Sequence, residues 1–261
     1  MPRAALALLL ASALTPGAPQ RASTPAQPPA AAPFADPVDP RQRELALAVL
    51  ERSSRPFAVY CARSGRSLTI VVELSAAAIQ TARWTSGADI EAVAASADGV
   101  PVAKSQARLE AGVYAASMSV TWKSDAAPDR VTVTITTPDG KPVDEWVRLY
   151  PPSGALVGEP LVWRSANRIA PRPVAAFEFA RNERARVEWP LPGSIDRRAA
   201  RLLNRSGRVL VPSLTLTEDA VRRVLVLDLA MSNLIHGDYL VELEAASGSV
   251  TERHLLAVRT R

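Results

Sequence analysis

Two short stretches decide the fold class: "SADGVPVAK" at residues 96–104 and "TPDGKPVDE" at residues 137–145. Each holds Asp-Gly, one variable residue and then Pro-Val. Asp-Gly supplies the positive φ angles that a tight two-residue hairpin turn requires. Proline has no N–H to give to a sheet, so it belongs near a strand start or on an edge. Neither copy continues with the ligands of a calcium loop, so the repeat predicts two β-hairpins.

The runs around these turns have the period of β-strands. "SLTIVVEL" (67–74), "ADIEAVAAS" (88–96), "YAASMSVTW" (114–122) and "RVTVTITT" (130–137) alternate in polarity or are rich in β-branched residues. Both patterns are typical of strands that bury one face. The first half of the chain is therefore predicted to be an antiparallel β structure.

The second half has the same period, after a boundary at "LYPPSGALVGEP" (149–160). "NRSGRVLV" and "EAASGSVTERHL" predict two further hairpins with Ser-Gly turns. In "HGDYLVEL", Tyr239 enters a late strand, where immunoglobulin-like sandwiches place a tyrosine whose hydroxyl bonds back to the backbone. Each half has about the length of one such domain. We expect an all-β fold of two tandem immunoglobulin-like antiparallel β-sandwiches, over residues 55–150 and 154–261.

The N-terminus has the layout of a secretory signal peptide. Arg3 precedes a short apolar run and the small-residue pattern that ends at Ala13, and cleavage after Ala13 or after Ala18 fits it. We assign residues 1–18 to the signal and residues 19–39, rich in proline and alanine, to a disordered linker. The run is shorter than a membrane span, and no later segment is long and apolar enough to be one. The prediction is export, to the periplasm or the extracellular space.

One short helix is predicted between the linker and the first sandwich, at residues 40–53. Asp39 is suited to cap it and Pro40 to occupy its first turn. Leu45 and Val49 follow at helical spacing. We expect this helix to pack against the domain that follows it.

Composition permits a polyanionic partner but does not demand one. Lysine and arginine number 31 against 26 aspartates and glutamates, and the pI is about 9.9. Cys61 is the only cysteine, so no intrachain disulfide forms. It stands in an apolar-periodic stretch, which favours an inert buried thiol.

Cys61 and the two histidines, His236 and His254, are the first candidates for a catalytic or metal site. Their neighbours show none of the spacings of zinc sites, and no Gly-x-Ser-x-Gly nucleophile elbow occurs. We interpret both histidines as structural. No catalytic, cofactor-binding or metal-binding residue is assigned, and no cofactor is expected.

A glycan hydrolase is the alternative that the acidic residues leave open, since glycoside hydrolysis needs only two carboxylates. Glu178, Glu183 and Glu188 cluster in "FEFARNERARVEWP". They alternate with apolar residues, so we expect them to face solvent as a charge ladder beside arginines.

A second alternative is polyanion binding by the arginines of "DRRAARLLNRSGR": Arg197, Arg198, Arg201, Arg205 and Arg208. The segment lacks lysines and interleaved aromatic residues, and no phosphate loop or dinucleotide fingerprint is present. Nucleic acid is therefore a disfavoured partner.

Three segments resemble one bacterial family: "RPFAVYCARSGRSLTIVVEL", "ARNERARVEWP" and "HGDYLVELEAASGSVTERHLLAVR". They are similar to the C-terminal β-sandwich region of secreted von Willebrand factor A-type domain-related proteins, over roughly residues 45–261. The metal-dependent adhesion motif of the A-type domain, Asp-x-Ser-x-Ser, is absent from this sequence. The resemblance implies exported β-sandwich modules. We therefore expect a non-catalytic envelope interaction or scaffold module, with another envelope protein or a glycan as partner.

Overall fold

The two Asp-Gly repeats form hairpins in the computed structural model. Gly99 and Gly140 take φ angles of +79° and +75°. Only the glycine of each pair has positive φ, and in the first hairpin Ser96 N donates to Val100 O across three loop residues. The loops are therefore three-residue turns closed by a left-handed glycine, one residue longer than predicted. The prolines stand where expected, since Pro101 and Pro142 each begin a strand.

The structure describes residues 33–34, 36–54, 56–75, 86–150, 154–166 and 169–261. The predicted signal peptide and the first part of the predicted linker lie outside these residues. Within them, no helix is long and apolar enough to cross a membrane.

The first sandwich packs a three-stranded sheet, β1-β2-β5, on a four-stranded sheet, β4-β3-β6-β7. Its strands are β1 (Phe57–Ser64), β2 (Ser67–Leu74), β3 (Ala88–Ala95), β4 (Pro101–Leu109), β5 (Ala115–Thr121), β6 (Arg130–Thr136) and β7 (Pro142–Arg148). All its pairs are antiparallel. Seven strands in sheets of three and four is the content of an immunoglobulin constant-type sandwich, with the fourth strand here joined to the third. The core holds Phe57, Leu68, Ile90 and Ile135.

The second sandwich packs two five-stranded sheets, β9-β8-β11-β15-β14 and β10-β17-β16-β12-β13. Its strands are β8 (Leu161–Ala166), β9 (Ile169–Pro173), β10 (Glu178–Phe179), β11 (Glu183–Pro190), β12 (Arg197–Asn204), β13 (Val209–Val211), β14 (Leu216–Asp219), β15 (Val224–Ala230), β16 (Gly237–Ser247) and β17 (Val250–Thr260). Trp189, Phe179 and Leu202 lie in its core. The two-residue strand β10 pairs parallel with β17, an exception to the antiparallel prediction.

These two packed pairs of sheets confirm the all-β fold of tandem sandwiches. The Ser-Gly hairpins are present as well, with Gly207 and Gly248 at φ +88° and +57°. Tyr239 confirms the predicted corner, because its hydroxyl donates to Ile235 O at 2.9 Å. The domain boundaries proposed from the sequence remain predictions.

The predicted helix is present as α1 (Pro40–Ala48), followed by a 3-10 turn over Val49–Ser54. Asp39 caps it by accepting from Arg41 N at 2.9 Å. The expected packing was wrong: Ala46, Leu47 and Leu50 pack against the core of the second sandwich. The outer face of β16 and β17 is apolar at Leu240 and Leu255, so it offers the helix a place to bury its own apolar side chains.

The last residues of the segment predicted as linker lie on the same sheet. Phe34 N donates to Glu244 Oε2 at 2.8 Å, and the Phe34 ring lies 4.3 Å from the Arg201 guanidinium. Arg253 donates to Asp36 O at 2.9 Å. The sheet of β16 and β17 is therefore covered on both faces, by the opposite sheet and by residues 34–50.

Candidate functional site

A predominantly apolar cleft lies where α1, the first sandwich and the second sandwich meet. Its volume is about 320 Å³. A predominantly apolar cavity with a few polar groups is the usual form of a ligand site. The lining combines aliphatic and aromatic side chains with isolated polar ones, among them Leu45, Tyr60, Tyr150, Glu159, Phe177 and Leu255.

Strand β1 forms one wall of the cleft and divides its side chains between two cores. Phe57, Val59 and Cys61 point into the core of the first sandwich. Tyr60 packs against the core of the second, with its ring edge-on to Phe177 at 4.8 Å. Because successive residues of a strand face opposite sides, one strand joins both sandwiches.

The polar atoms of Tyr60 and Glu159 are used to join the two sandwiches. The Tyr60 hydroxyl donates to Pro160 O at 2.8 Å, and Glu159 Oε2 accepts from Arg63 N at 2.7 Å. Burial, with the nearby Glu159 and Cys61, raises the pKa of Tyr60 well above its ordinary value. Burial also raises the pKa of Glu159, although the contact with Arg63 opposes the rise. Burial therefore disfavours the charged form of both groups. Their hydrogen bonds hold the two sandwiches together.

A buried ion pair also links the sandwiches. Glu73 on β2 pairs with Arg164 on β8, and both side chains are at most a tenth exposed. Glu73 Oε2 also accepts from Ala175 N and Ala176 N, at 3.0 and 2.9 Å. Arg164 donates to Glu178 O at 2.6 Å. The charges of both partners are thus compensated, as a buried pair requires.

A second buried carboxylate holds the loop that precedes β8. Glu252 on β17 accepts from Ala155 N at 2.5 Å, Leu156 N at 2.9 Å and Val157 N at 3.1 Å. Burial opposes its ionisation, but these three N–H groups and His254 lower the pKa of Glu252 overall. A carboxylate that accepts three backbone bonds is a structural clamp.

The structure does not gather Cys61, His236 and His254 at one site: Cys61 and His254 both border the cleft, whereas His236 lines a different depression. Cys61 is buried in the first core. His254 is buried beside Glu252, its Nε2 lying 3.7 Å from Glu252 Oε2, and His236 is exposed on another surface. Burial lowers the pKa of His254, although Glu252 opposes the change. Among the described residues, no group of three His, Cys, Asp or Glu side chains could hold a metal ion.

The three glutamates considered for hydrolysis are each held by their own arginines. Glu178 pairs with Arg259 and Arg261, and Glu183 lies 3.4 Å from Arg164 Nε. The predicted alternation is correct at Glu178, which stands between the buried Phe177 and Phe179.

The expectation that the three glutamates face solvent was wrong, since the side chains of Glu178 and Glu183 are 10% and 19% exposed and that of Glu188 is covered most completely. Glu188 is 4% exposed, because Arg186 and Arg222 both bond to its carboxylate and cover it. Burial alone would raise its pKa, but the two arginines lower the pKa of Glu188 overall. A general acid in glycoside hydrolysis needs the opposite shift.

The arginine-rich segment is not a single basic face. Arg198, Arg201 and Arg205 pair with Glu218, Glu242 and Asp238, with N–O distances of 2.6, 2.5 and 2.6 Å. Arg197 and Arg198 are neighbours on β12, so they point to opposite faces, and Arg208 lies exposed past the strand end. The positive charge that motivated polyanion binding is thus largely compensated within the chain.

Sequence reasoning missed the residues that join the sandwiches: Tyr60, Glu73, Glu159 and Arg164. One signal was present. Glu73 is the single charge in "SLTIVVEL", where burial is otherwise nearly continuous, and a charge in such a run needs a buried partner. Nothing in the sequence identified that partner as Arg164, 91 residues away.

Comparisons with known proteins give the chain no family. No family model matches it, and no curated protein matches it. Among solved structures, murine CEACAM1b matches with 10% identity over 78% of this chain and all of that chain, at a TM-score of 0.23. The titin domains Z1Z2 in complex with telethonin match with 10% identity over 79% of this chain and 98% of that one, at 0.22. TM-scores this low carry no argument about ligand or partner.

Proposed function

We propose that the chain is a non-catalytic, exported module of two β-sandwiches that binds a protein or a glycan in the bacterial cell envelope. One observation carries the proposal: buried carboxylates at the junction of the sandwiches, and one that holds the loop before β8, form hydrogen bonds that connect separate elements. Glu73, Glu159 and Glu252 each accept backbone N–H bonds from another part of the chain. Such groups are suited to a rigid scaffold, and less to proton transfer.

Export is supported by the sequence of the N-terminus. A positive residue, a short apolar run and small residues up to Ala13 are the parts of a signal peptide. The resemblance to secreted von Willebrand factor A-type domain-related proteins supports the same compartment.

The exposed edges of the sheets support a binding role. Strand β13 is the last strand of its sheet, and Val209, Leu210 and Val211 are 37–46% exposed. Edge strands present unpaired backbone groups, which recruit partners by strand addition.

Cross-linking in an isolated envelope fraction tests the proposal. Tagged protein of residues 19–261 should enrich one specific protein or glycan, compared with an unrelated exported β-sandwich. Leu210→Glu, which places a charge on the β13 edge, should lower the yield of the cross-linked partner. Val221→Glu, on a turn where Val221 is 94% exposed, is the control and should leave that yield unchanged. Failure to enrich any protein or glycan would overturn the proposal.

A further inference from the structure

The sheet β4-β3-β6-β7 presents an open outer face. Its inner residues, such as Ile90, Val133 and Ile135, are buried in the first core, while the alternate residues are exposed or half-buried. The outer side chains are Asp89, Glu91, Val93, Lys104, Gln106, Arg108, Arg130, Thr132, Thr134, Thr136, Asp144, Trp146 and Arg148. We call these residues the outer face.

Trp146 is unusual among the tryptophans that the structure describes. It is 58% exposed, whereas Trp122 and Trp189 are buried and Trp163 is half-buried. It lies on β7 opposite Thr132, a small side chain that leaves much of the indole uncovered. An exposed indole offers a large rigid apolar surface with a polar N–H at its edge.

A shallow depression of about 540 Å³ lies on the same face. The outer-face side chains that line it are Asp89, Glu91, Gln106, Arg108 and Thr136. They supply carboxylate acceptors, guanidinium and amide donors and a hydroxyl group. The depression is therefore rich in hydrogen-bonding groups of both kinds.

Register places the tryptophan and the depression within reach of one extended ligand. Trp146 pairs with Thr132 on β6, and Glu91 on β3 pairs with Thr134 on the same strand. Two strand spacings separate β7 from β3, about 10 Å across the sheet. A column of three threonines, Thr132, Thr134 and Thr136, lies between them.

The charges at the depression are paired with each other, whereas Arg130, Asp144 and Arg148 lie outside it, with Arg148 Nε 3.9 Å from Asp129. Lys104 lies 2.7 Å from Glu91, and Arg108 lies 2.7 Å from Asp89. Gln106 also donates to Glu91 at 3.0 Å, and the contacts with Lys104 and Gln106 lower the pKa of Glu91. A depression whose charges are paired offers little net attraction to a polyanion and complements a neutral ligand rich in hydroxyl groups.

We propose that the outer face binds a neutral glycan chain, with Trp146 as a stacking platform and the depression as a hydrogen-bonding subsite. The apolar C–H face of a sugar ring packs on the indole. Its hydroxyl groups donate to Glu91 and Asp89 and accept from Gln106 and Arg108. Because the two parts lie about 10 Å apart, an oligosaccharide contacts both and a monosaccharide only one. This inference rests on the proposed binding role and names its ligand class.

Titration with soluble polysaccharides tests the inference. The protein of residues 19–261 is titrated with laminarin, xyloglucan and galactomannan as neutral probes and with heparin as a polyanion, followed by calorimetry and tryptophan fluorescence. At least one neutral probe should bind, and Trp146→Ala should weaken that binding tenfold or more. Gln106→Ala should weaken it less. Leu210→Ala, which removes exposed apolar surface on β13, should leave it unchanged, and thermal melts show that each variant is folded.

Two results would overturn the inference: no binding of any neutral probe, or equal affinity in wild type and Trp146→Ala. Binding of heparin alone, weakening steeply with salt, would also overturn it. The envelope cross-linking experiment separates this failure from failure of the binding role. If no neutral probe binds but wild type still captures a specific protein, the glycan inference fails and the binding role stands.

Discussion

At the residue scale, ionisable and polar side chains in this protein stabilise the fold through specific contacts. Asp238 accepts from Arg259 and Arg205, and these contacts, the bond from Arg259 foremost, lower the pKa of Asp238 although burial opposes the change. Arg259 also lies 3.2 Å from Glu178, so it links β16, β17 and β10. Each such contact favours the charged form of a carboxyl group and is lost in acid.

Tyr239→Phe tests the tyrosine corner. The change removes the bond to Ile235 O and leaves the ring in place, so the free energy of unfolding should fall by about 1 kcal/mol. Urea denaturation followed by tryptophan fluorescence measures it. Tyr150→Phe, at an exposed tyrosine, should have no effect, and equal stability of the two variants would contradict the assigned role of the corner.

His254→Gln tests the pH dependence of stability. Burial lowers the pKa of His254 below its ordinary value of 6.5, so the folded protein binds fewer protons than the unfolded chain below that pH. The free energy of unfolding should therefore decrease as pH falls below 6.5 and level off below the lowered pKa. His254→Gln should remove this decrease in the free energy of unfolding. Urea denaturation at several pH values between 7.5 and 5 measures it.

The control for that experiment is His236→Gln, at the exposed histidine. This variant leaves His254 and its contacts with Glu252 unchanged, so the pH dependence assigned to His254 should remain. If His254→Gln and wild type show the same pH dependence of the free energy of unfolding, protonation of His254 is not coupled to folding.

At the element scale, the hairpins determine the order of strands. The two Asp-Gly turns and the two Ser-Gly turns each place a glycine at positive φ, where a side chain would meet its own backbone. The carboxylate of Asp139 accepts from Thr137 Oγ1 and from Lys141 N inside its turn. The Asp-Gly repeat therefore has a structural role, which is to form hairpin turns.

Gly140→Ala tests that conclusion. Gly140 has φ +75°, and a Cβ at this position would meet no atom within 4 Å, so the cost is backbone strain alone. Stability should fall by about 1 kcal/mol. Gly140→Asn should cost less, because asparagine tolerates the left-handed region. Thermal or urea denaturation of the two variants measures the difference, and equal costs would contradict the strain argument.

At the scale of the whole molecule, the sandwiches are joined by the contacts of β1 and β2 with the second sandwich. Tyr60, Glu73 and Glu159 bond to Pro160, Arg164 and Arg63. Helix α1 adds further contacts, because its apolar side chains pack over β16 and β17. Buried bonds from Tyr60 and Glu159 hold the β1 wall of the cleft, and apolar packing holds the α1 wall.

Glu73→Gln tests this junction. The change removes the nearer counter-charge of the buried Arg164 and leaves only Glu183, 3.4 Å from its Nε, so stability should fall by about 3 kcal/mol. The double variant Glu73→Leu/Arg164→Met should regain much of the loss, since neither charge is then buried alone. Urea denaturation gives the stabilities, and small-angle scattering should show a larger radius for Glu73→Gln.

An exposed ion pair provides the matched control. Asp125→Asn removes the partner of Arg66 at a pair 59% and 102% exposed, and should leave stability unchanged. A loss in Glu73→Gln no larger than in this control would contradict the role of Glu73 as an interdomain contact.

The sequence by itself determined the local structure. Strand period, turn chemistry and the capping of α1 by Asp39 depend on neighbouring residues, so hairpins, strands and the Tyr239 corner were predictable. The loop length was missed by one residue because Asp-Gly is compatible with more than one turn geometry.

Only the tertiary structure decided which distant residues meet. The pairing of Glu73 with Arg164, the burial of Glu188 beneath two arginines and the docking of α1 on the second sandwich depend on how the sheets pack. The physical reason is that alternation tells which side of a strand a residue faces. It carries no information about the element that covers that side.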